Sequence, residues 1–253
     1  TPPDRADELL VADSFRVRGQ GAAARVRGWP LHTARFARAA ATALSESSEA
    51  AWLAARLPGF LAHASSEISA AGDGFPRLEL RRQQPDGLDL RLALRPLPEL
   101  SSEITVRTAP GVTLAVASRK GPNIGALGEL NRSLGAEALL LDARGAVLEG
   151  ATTSVLWWEN DTLCRVASTT RVPSVTERLV VELARRLGYS VTEGAIAAFE
   201  LRQHEAWAVN ALHGIRPISV IDGIPAPAMP GERLRRFRQA LDDTWVPVLG
   251  ATT

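Results

Sequence analysis

Short runs in which apolar and polar residues alternate, each closed by turn-forming residues and separated by longer stretches of helical period, constrain this chain more than any other feature. Alternation with period two suits strands that bury one face, and the longer stretches suit helices packed upon them. Leu9–Arg18 has strand character, Gly19-Gln20-Gly21 turns the chain, and Ala23–Arg27 reads as the second arm of a hairpin. Leu31–Leu44 follows as an alanine- and arginine-rich helix, and Glu49–His63 as another, interrupted near Pro58-Gly59. Leu78–Arg82 and Leu88–Arg95 alternate around the turn signal Asp86-Gly87. Pro96-Leu97-Pro98, followed by Glu99–Ser102, is the best linker because its prolines interrupt regular structure.

Beyond the linker, Ile104–Thr108 and Thr113–Ser118 read as strands around Pro110-Gly111, with Lys120 at the end of the second. Ile124–Leu134 is a helix stopped by Gly135, after which Ala138–Asp142 and Ala146–Glu149 pair across Ala143-Arg144-Gly145. Val155–Glu159 and Thr162–Val166 form a hairpin across Asn160-Asp161, and Val175–Leu187 is an amphipathic helix ended by Gly188. Trp207–Asn210 and Ile218–Ile221 are two further short strands. The pattern predicts an α+β protein of two domains, a small one over residues 1–98 and a larger one over 99–253.

Charge and composition narrow the function. The net charge is +1 and the arginines are spread along the chain, so no basic block stands ready to neutralise nucleic-acid phosphates. One cysteine, Cys164, cannot form an internal disulfide, and it reads as a core residue. No signal peptide and no apolar run long enough to cross a bilayer is seen, so a soluble cytoplasmic protein without nucleic-acid or membrane partners is expected. His63, His204 and His213 lack metal-ligand spacing, and no metal is expected.

Of the 29 basic residues, 28 are arginine and one is Lys120. Either type serves on a solvated surface, so a lone lysine reflects chance or a need. The need would be an amine that sheds its proton and condenses with an aldehyde, which a guanidinium cannot do. Lys120 precedes Gly121-Pro122-Asn123, and 29 residues later Glu149-Gly150 closes the phrase that begins at Gly145. Ala151-Thr152-Thr153-Ser154 follows, then Val172-Pro173-Ser174-Val175-Thr176-Glu177-Arg178 at a helix start. Asn210–Pro217, Asp222-Gly223 and the pair His32 and Arg35 complete the set.

In order and spacing these segments resemble the fold-type IV, or class IV, pyridoxal-phosphate aminotransferases, a D-amino acid aminotransferase-like fold. Asn210–Pro217 looks especially like the aminodeoxychorismate lyase branch. The resemblance implies that Lys120, in the larger domain, carries pyridoxal 5′-phosphate as a Schiff base and moves substrate protons. It implies that Glu149 keeps the pyridine nitrogen protonated. Arg35, the helix start at Val175 and Thr176, and Ala211 and Leu212 would hold the cofactor, the phosphate drawing on unpaired helix N–H groups. Asn210 and Arg16 would meet a small-molecule amino substrate.

Plainer readings stand beside these. Glu149 alone reads as an exposed acid at a hairpin end, Arg35 as one solvated arginine among many, and His32 as structural. Ser174 and Glu177 fit a reciprocal capping box. Of Trp157 and Trp158, alternation sends one to the core and the other to a domain or subunit contact. The family pattern departs at Ser154, Ser174 and Glu177, where asparagine, glycine and arginine are common. It departs again at Arg16, near which lyases carry a threonine hydroxyl; an arginine there suits a substrate carboxylate. An aminotransferase of branched-chain or D-amino acids is therefore the alternative to the lyase, and a non-catalytic or cofactor-independent relative is the third reading. By the same resemblance a two-fold homodimer is expected.

Overall fold

The computed structural model describes residues 7–45, 48–83, 87–114, 116–168, 170–226 and 231–248. They divide into two compact units. The first takes in the described residues up to Glu99, with Arg119–Pro122 and the segment from Trp245 onward; the second takes in Leu100–Ser118 and Asn123–Thr244. Each mixes helix and sheet, as the α+β pattern requires. Lys120 groups with the first unit, although its place in the sequence put it with the larger C-terminal part. The reason is a backbone bond: Ala12 N–H donates to the Lys120 carbonyl at 2.7 Å.

The first unit begins with β1 (Asp7–Ser14) and β2 (Val17–Arg18), a 3-10 turn at Gly21–Ala23, and β3 (Arg25–Arg27). The helices α1 (Trp29–Ala43) and α2 (Ala50–Ala71) follow, then β4 (Arg77–Gln83) and β5 (Gly87–Ala93). Strand β1 pairs antiparallel with β4, and β4 with β5. Of the expected hairpin arm Leu9–Arg18, only β2 pairs with β3, because β1 pairs with β4 instead; β3 is extended by the last strand of the chain, β15 (Trp245–Pro247). The turn residue Asp86 lies outside the described residues. Leu10 to Phe15 are all buried, so this run is covered on both faces, one cover being α1. Pro30 lies in the first turn of α1, where the missing N–H costs no helical bond.

Helix α2 does not break at Pro58 but runs on to Ala71. The lost hydrogen bond there is outweighed by what the second half of the helix buries and ties down. Ala64 and Ile68 are core residues, Ser65 Oγ donates to the Val248 carbonyl at 2.6 Å, and Ser69 Oγ donates to the Gly21 carbonyl at 2.6 Å.

In the second unit the order is β6 (Ile104–Ala109), α3 (Ile124–Leu134), β7 (Glu137–Leu141), β8 (Val147–Gly150), β9 (Ser154–Glu159) and β10 (Thr162–Val166). Then come α4 (Val175–Arg186), β11 (Ser190–Gly194), α5 (Ala198–Leu201), β12 (Glu205–Asn210), β13 (Gly214–Ile221), β14 (Ile224–Pro225) and α6 (Gly231–Asp242). Among the described residues these strands make one sheet in the order β11-β10-β9-β12-β13-β6-β7-β8, with β14 on β13. The sheet curls so that β8 comes back against β9, and Val106, Leu139, Val147, Trp157, Val166 and Ala208 fill its inside. No described helix is long and apolar enough to cross a membrane.

Two expectations fail here for clear reasons. The described part of Thr113–Ser118 is coil and turn, not strand, because β6 already pairs with β13 on one edge and β7 on the other, leaving no edge for a hairpin partner. Lys120 therefore sits in a bend. Trp157 and Trp158 are both buried, at 1% and 3% exposure. Trp157 points inside the curl, and Trp158 meets Tyr189, Trp207 and Phe237 edge to face, so both faces of β9 are covered within the unit.

Candidate active site

In the first unit the site is built on β1. Its register against β4 shifts between Leu9 and Val11, a bulge of the kind that re-aims backbone beside functional sites. Gly121 lies against that bulge: a Cβ on it would sit 2.9 Å from the Leu10 carbonyl oxygen and 2.9 Å from Val11 Cα, and its φ is +150°. Together with the Ala12 to Lys120 bond, this close approach straps the lysine to β1. Gly121→Ala is expected to push the segment off the strand and cost roughly 1–3 kcal/mol, as overpacking against backbone does. Differential scanning calorimetry measures it as a melting point lowered by several degrees; an unchanged one would show that the strap is loose.

Asp13 follows Ala12 on β1 and is fully buried. Arg35 Nε donates to its Oδ2 at 2.7 Å and Arg35 Nη2 to its Oδ1 at 2.8 Å, while His32 Nδ1 lies 2.7 Å from Oδ1. Burial opposes the charge on Asp13, but Arg35 and His32 outweigh it and hold the carboxyl well below the usual carboxylate range. Burial, and after it Arg35 and Lys120, outweigh Asp13 and push His32 below the ordinary histidine value.

Arg95, just after β5, donates to the Phe75 carbonyl at 3.1 Å and to Ser14 Oγ at 3.1 Å, and stacks on the Phe75 ring. No carboxylate pairs with it among the described residues, whereas Arg77 and Arg81 share Glu79. Around Lys120, burial is the largest influence on the amine. Arg35, Arg95 and Arg77 reinforce it, Asp13 opposes it, and the balance brings the amine down to about 8. A lysine so placed is partly unprotonated near neutrality. Arg16 lies part-buried in the link between β1 and β2.

The second unit gathers Glu149, the loop before α4 and the first turn of that helix. Glu149 is 8% exposed and lies beside the Val172 backbone. Burial pushes its carboxyl up to about 8, against the pull of Arg171 and Val172 and with some push from Glu177. It is not the exposed hairpin acid of the plainer reading. Val175 and Thr176 begin α4 and are buried. Ser174 Oγ accepts from Glu177 N–H at 3.2 Å, which is half of a capping box. The Glu177 carboxylate does not complete the box but turns to Arg171, whose Nη2 donates at 2.6 Å, and to Arg165 at 3.2 Å. The buried pair of Arg171 and Glu177 staples the loop to the helix.

Asn210 ends β12 and is spent on its own turn. Its Oδ1 accepts from Leu212 N–H at 3.1 Å and His213 N–H at 2.9 Å, and its Nδ2 donates to the Thr152 carbonyl at 3.4 Å. The Leu212 amide is thus already committed, while Ala211 lies beside it in the turn. Glu137 anchors the neighbouring segment, accepting from Thr152 N–H at 2.6 Å and Asn131 Nδ2 at 2.8 Å. Of the sequence candidates, Lys120 and Arg35 come together around Asp13, and Glu149 comes together with the α4 start. Asn210 stays with its own turn, and Arg16 with the link that follows β1.

The family model for class IV amino-transferases matches residues 10–221. The chain belongs to the class IV aminotransferase family. The chain's fold is shared with a hypothetical aminotransferase from Mycobacterium tuberculosis in PLP-bound form, 20% identical, with a TM-score of 0.75 over 96% of this chain and 93% of that one. It is shared with a T.th. branched-chain amino acid aminotransferase complexed with N-(5′-phosphopyridoxyl)-L-glutamate, 17% identical, TM-score 0.73, over 94% and 88% of the two chains. A putative 4-amino-4-deoxychorismate lyase from Legionella pneumophila is 14% identical, with TM-score 0.73 over 96% of each chain. No curated protein matches in sequence. In this member of the class IV family the residues not legible in the sequence are Asp13, Arg95, Arg171 and Glu137. Asp13 carries a signal, an acid that directly follows the apolar run Leu9–Ala12; the arginines carry none among 28.

Proposed function

We propose that this class IV chain is a pyridoxal 5′-phosphate enzyme and that its reaction is the lyase one, releasing pyruvate from aminodeoxychorismate and leaving 4-aminobenzoate. The observation that carries the cofactor reading is Lys120, the single lysine of the chain, strapped to β1 with its amine brought down to about 8. The donor set suits the cofactor. An aldehyde calls for an amine that sheds its proton, a phosphate for guanidinium and helix N–H groups, and a pyridine nitrogen for a carboxyl that gains a charged partner. Lys120, Arg35 with Val175 and Thr176, and Glu149 are proposed for these roles. When bound, the cofactor supplies a ring that accepts electron density from the substrate.

Lys120 then takes up and returns the substrate proton, which its lowered affinity for protons allows near neutral pH. Glu149, buried and disposed to hold a proton, would be the carboxyl that meets the ring nitrogen of a bound cofactor. Arg95, with no carboxylate partner among the described residues, is suited to a substrate carboxylate. Arg16 is proposed for the same task, and Asn210 and Ala211 shape the turn beside Thr152.

The lyase reading is supported by the Asn210–Pro217 phrase and by the likeness in fold to the Legionella protein. The aminotransferase reading is supported by Arg16 and by the likeness to the T.th. enzyme. Product analysis decides between them: aminodeoxychorismate is expected to give 4-aminobenzoate and pyruvate, and amino-group transfer across a panel of amino and keto acids without any 4-aminobenzoate would replace the lyase with the aminotransferase. A two-fold homodimer is proposed as well, supported by Phe199 and Ile224, which stand 63% and 49% exposed. Light scattering behind a sizing column checks it, and a fully active species at the mass of one chain would exclude it.

A further inference from the structure

We propose that Asp13 is the positioning residue of the lysine site: its carboxylate fixes Arg35 and His32 in place and so sets the charge that Lys120 meets. The proposal rests on the reading of Lys120 as the reactive amine. It begins from burial. A carboxylate with no exposure is tolerated only when its oxygens are satisfied, and Asp13 is satisfied by Arg35 through both oxygens and by His32 through Oδ1. The two-pronged contact holds the plane of the guanidinium, which a single bond would leave free to swing.

The same stretch of β1 holds the lysine. Ala12 bonds the Lys120 carbonyl, Gly121 rests on Leu10 and Val11, and Asp13 is the next residue along. The Lys120 backbone and the Asp13 carboxylate are therefore held by the same strand, with Arg35 brought to Asp13 from α1.

The charged groups acting on the amine are Arg35 from α1, Arg77 from β4, Arg95 after β5, and Asp13 from β1; His32 of α1 is a titratable neighbour held below its ordinary value. Glu79 of β4 is engaged by Arg77 and Arg81. Among the described residues Asp13 is thus the one carboxylate set against three guanidiniums that act on Lys120. An amide in its place keeps the shape but removes the negative charge and one acceptor. The positive charge of Arg35 then acts on the amine without that carboxylate beside it, and the amine loses its proton more readily.

A single lysine makes the test direct. The full chain without cofactor is acetylated with acetic anhydride across a pH series, and the modified fraction at Lys120 is read by peptide mass spectrometry. Wild type is expected to titrate near 8. Asp13→Asn should move the midpoint down by about one unit or more, Arg35→Gln should move it up by a similar amount, and Asp13→Glu should restore it. A purely structural Asp13 would lower the melting temperature and leave the midpoint in place, and that result overturns the proposal. If Asp13→Asn does not fold, Arg35→Gln alone decides, an unmoved midpoint again overturning it. A wild-type midpoint at the ordinary lysine value would instead count against Lys120 as the reactive amine, so the two failures are distinct.

Discussion

Lys120→Arg is expected to abolish covalent attachment of pyridoxal phosphate and to lower turnover by about a thousandfold or more, since both the nucleophile and the proton carrier are lost. The guanidinium keeps its charge at every working pH. It would also bring a permanent cation to a place where Arg35, Arg77 and Arg95 already press on the amine, whereas lysine relieves that pressure by releasing its proton. Lys120→Met should lose attachment equally but fold with better stability at neutral pH, because it carries no charge there. Borohydride reduction followed by peptide mapping is decisive: the cofactor should be trapped on the Lys120 peptide in wild type and on no peptide in either variant. Trapping elsewhere in wild type would remove Lys120 from the mechanism.

Glu149→Gln is expected to leave cofactor bound and to slow turnover by about a hundredfold or more, the scale seen when one fixed electrostatic partner is lost. An amide cannot share a proton with a ring nitrogen as a carboxyl does. The same change should alter stability in the protein without cofactor. Burial raises the folded carboxyl to about 8, so its neutral form is the one the fold favours. A group raised in this way contributes stability that is fully present below the ordinary glutamate value and is lost as pH rises through about 8. Glutamine has no proton to lose. Thermal unfolding at about pH 5 and about pH 9 should therefore show the variant matching wild type at the lower pH and exceeding it at the higher, by a few degrees or more. Equal melting points at the higher pH, with turnover unchanged, would remove Glu149 from the mechanism and show that burial does not raise its carboxyl.

Several parts of the molecule are legible in the sequence. The β9–β10 hairpin is, because Val155–Glu159 and Thr162–Val166 are short apolar-rich runs on either side of Asn160-Asp161, and Asn160 adopts the left-handed φ of 53° that such turns favour. Helix α4 is, because Ser174 caps it and Gly188 follows its end. Helix α6 was missed although Phe237 and Leu241 keep helical spacing, since its other residues are mostly charged and read as a solvated stretch. Residues 113–118 were misread because strand propensity is local, while the right to pair depends on which edges are already taken. Pro58 was misread for a related reason: a helix-breaking residue costs a fixed local amount, and the tethers of Ser65 and Ser69 offset it from far along the chain.

By itself the sequence determined the chemical types: one amine able to condense with an aldehyde, a glutamate at a strand end ahead of a small polar segment, and a capped helix start with open N–H groups. It did so because these depend on residue identity and short spacing. Only the tertiary structure decided which charges act on them. Asp13 and Arg35 are 22 positions apart and Lys120 lies far along the chain from both, yet their separation in space sets how each titrates. Coulomb energy and desolvation depend on distance and burial rather than on order along the chain, so an acid that looks like any other in the sequence becomes, on β1, the counterweight to three arginines around one lysine.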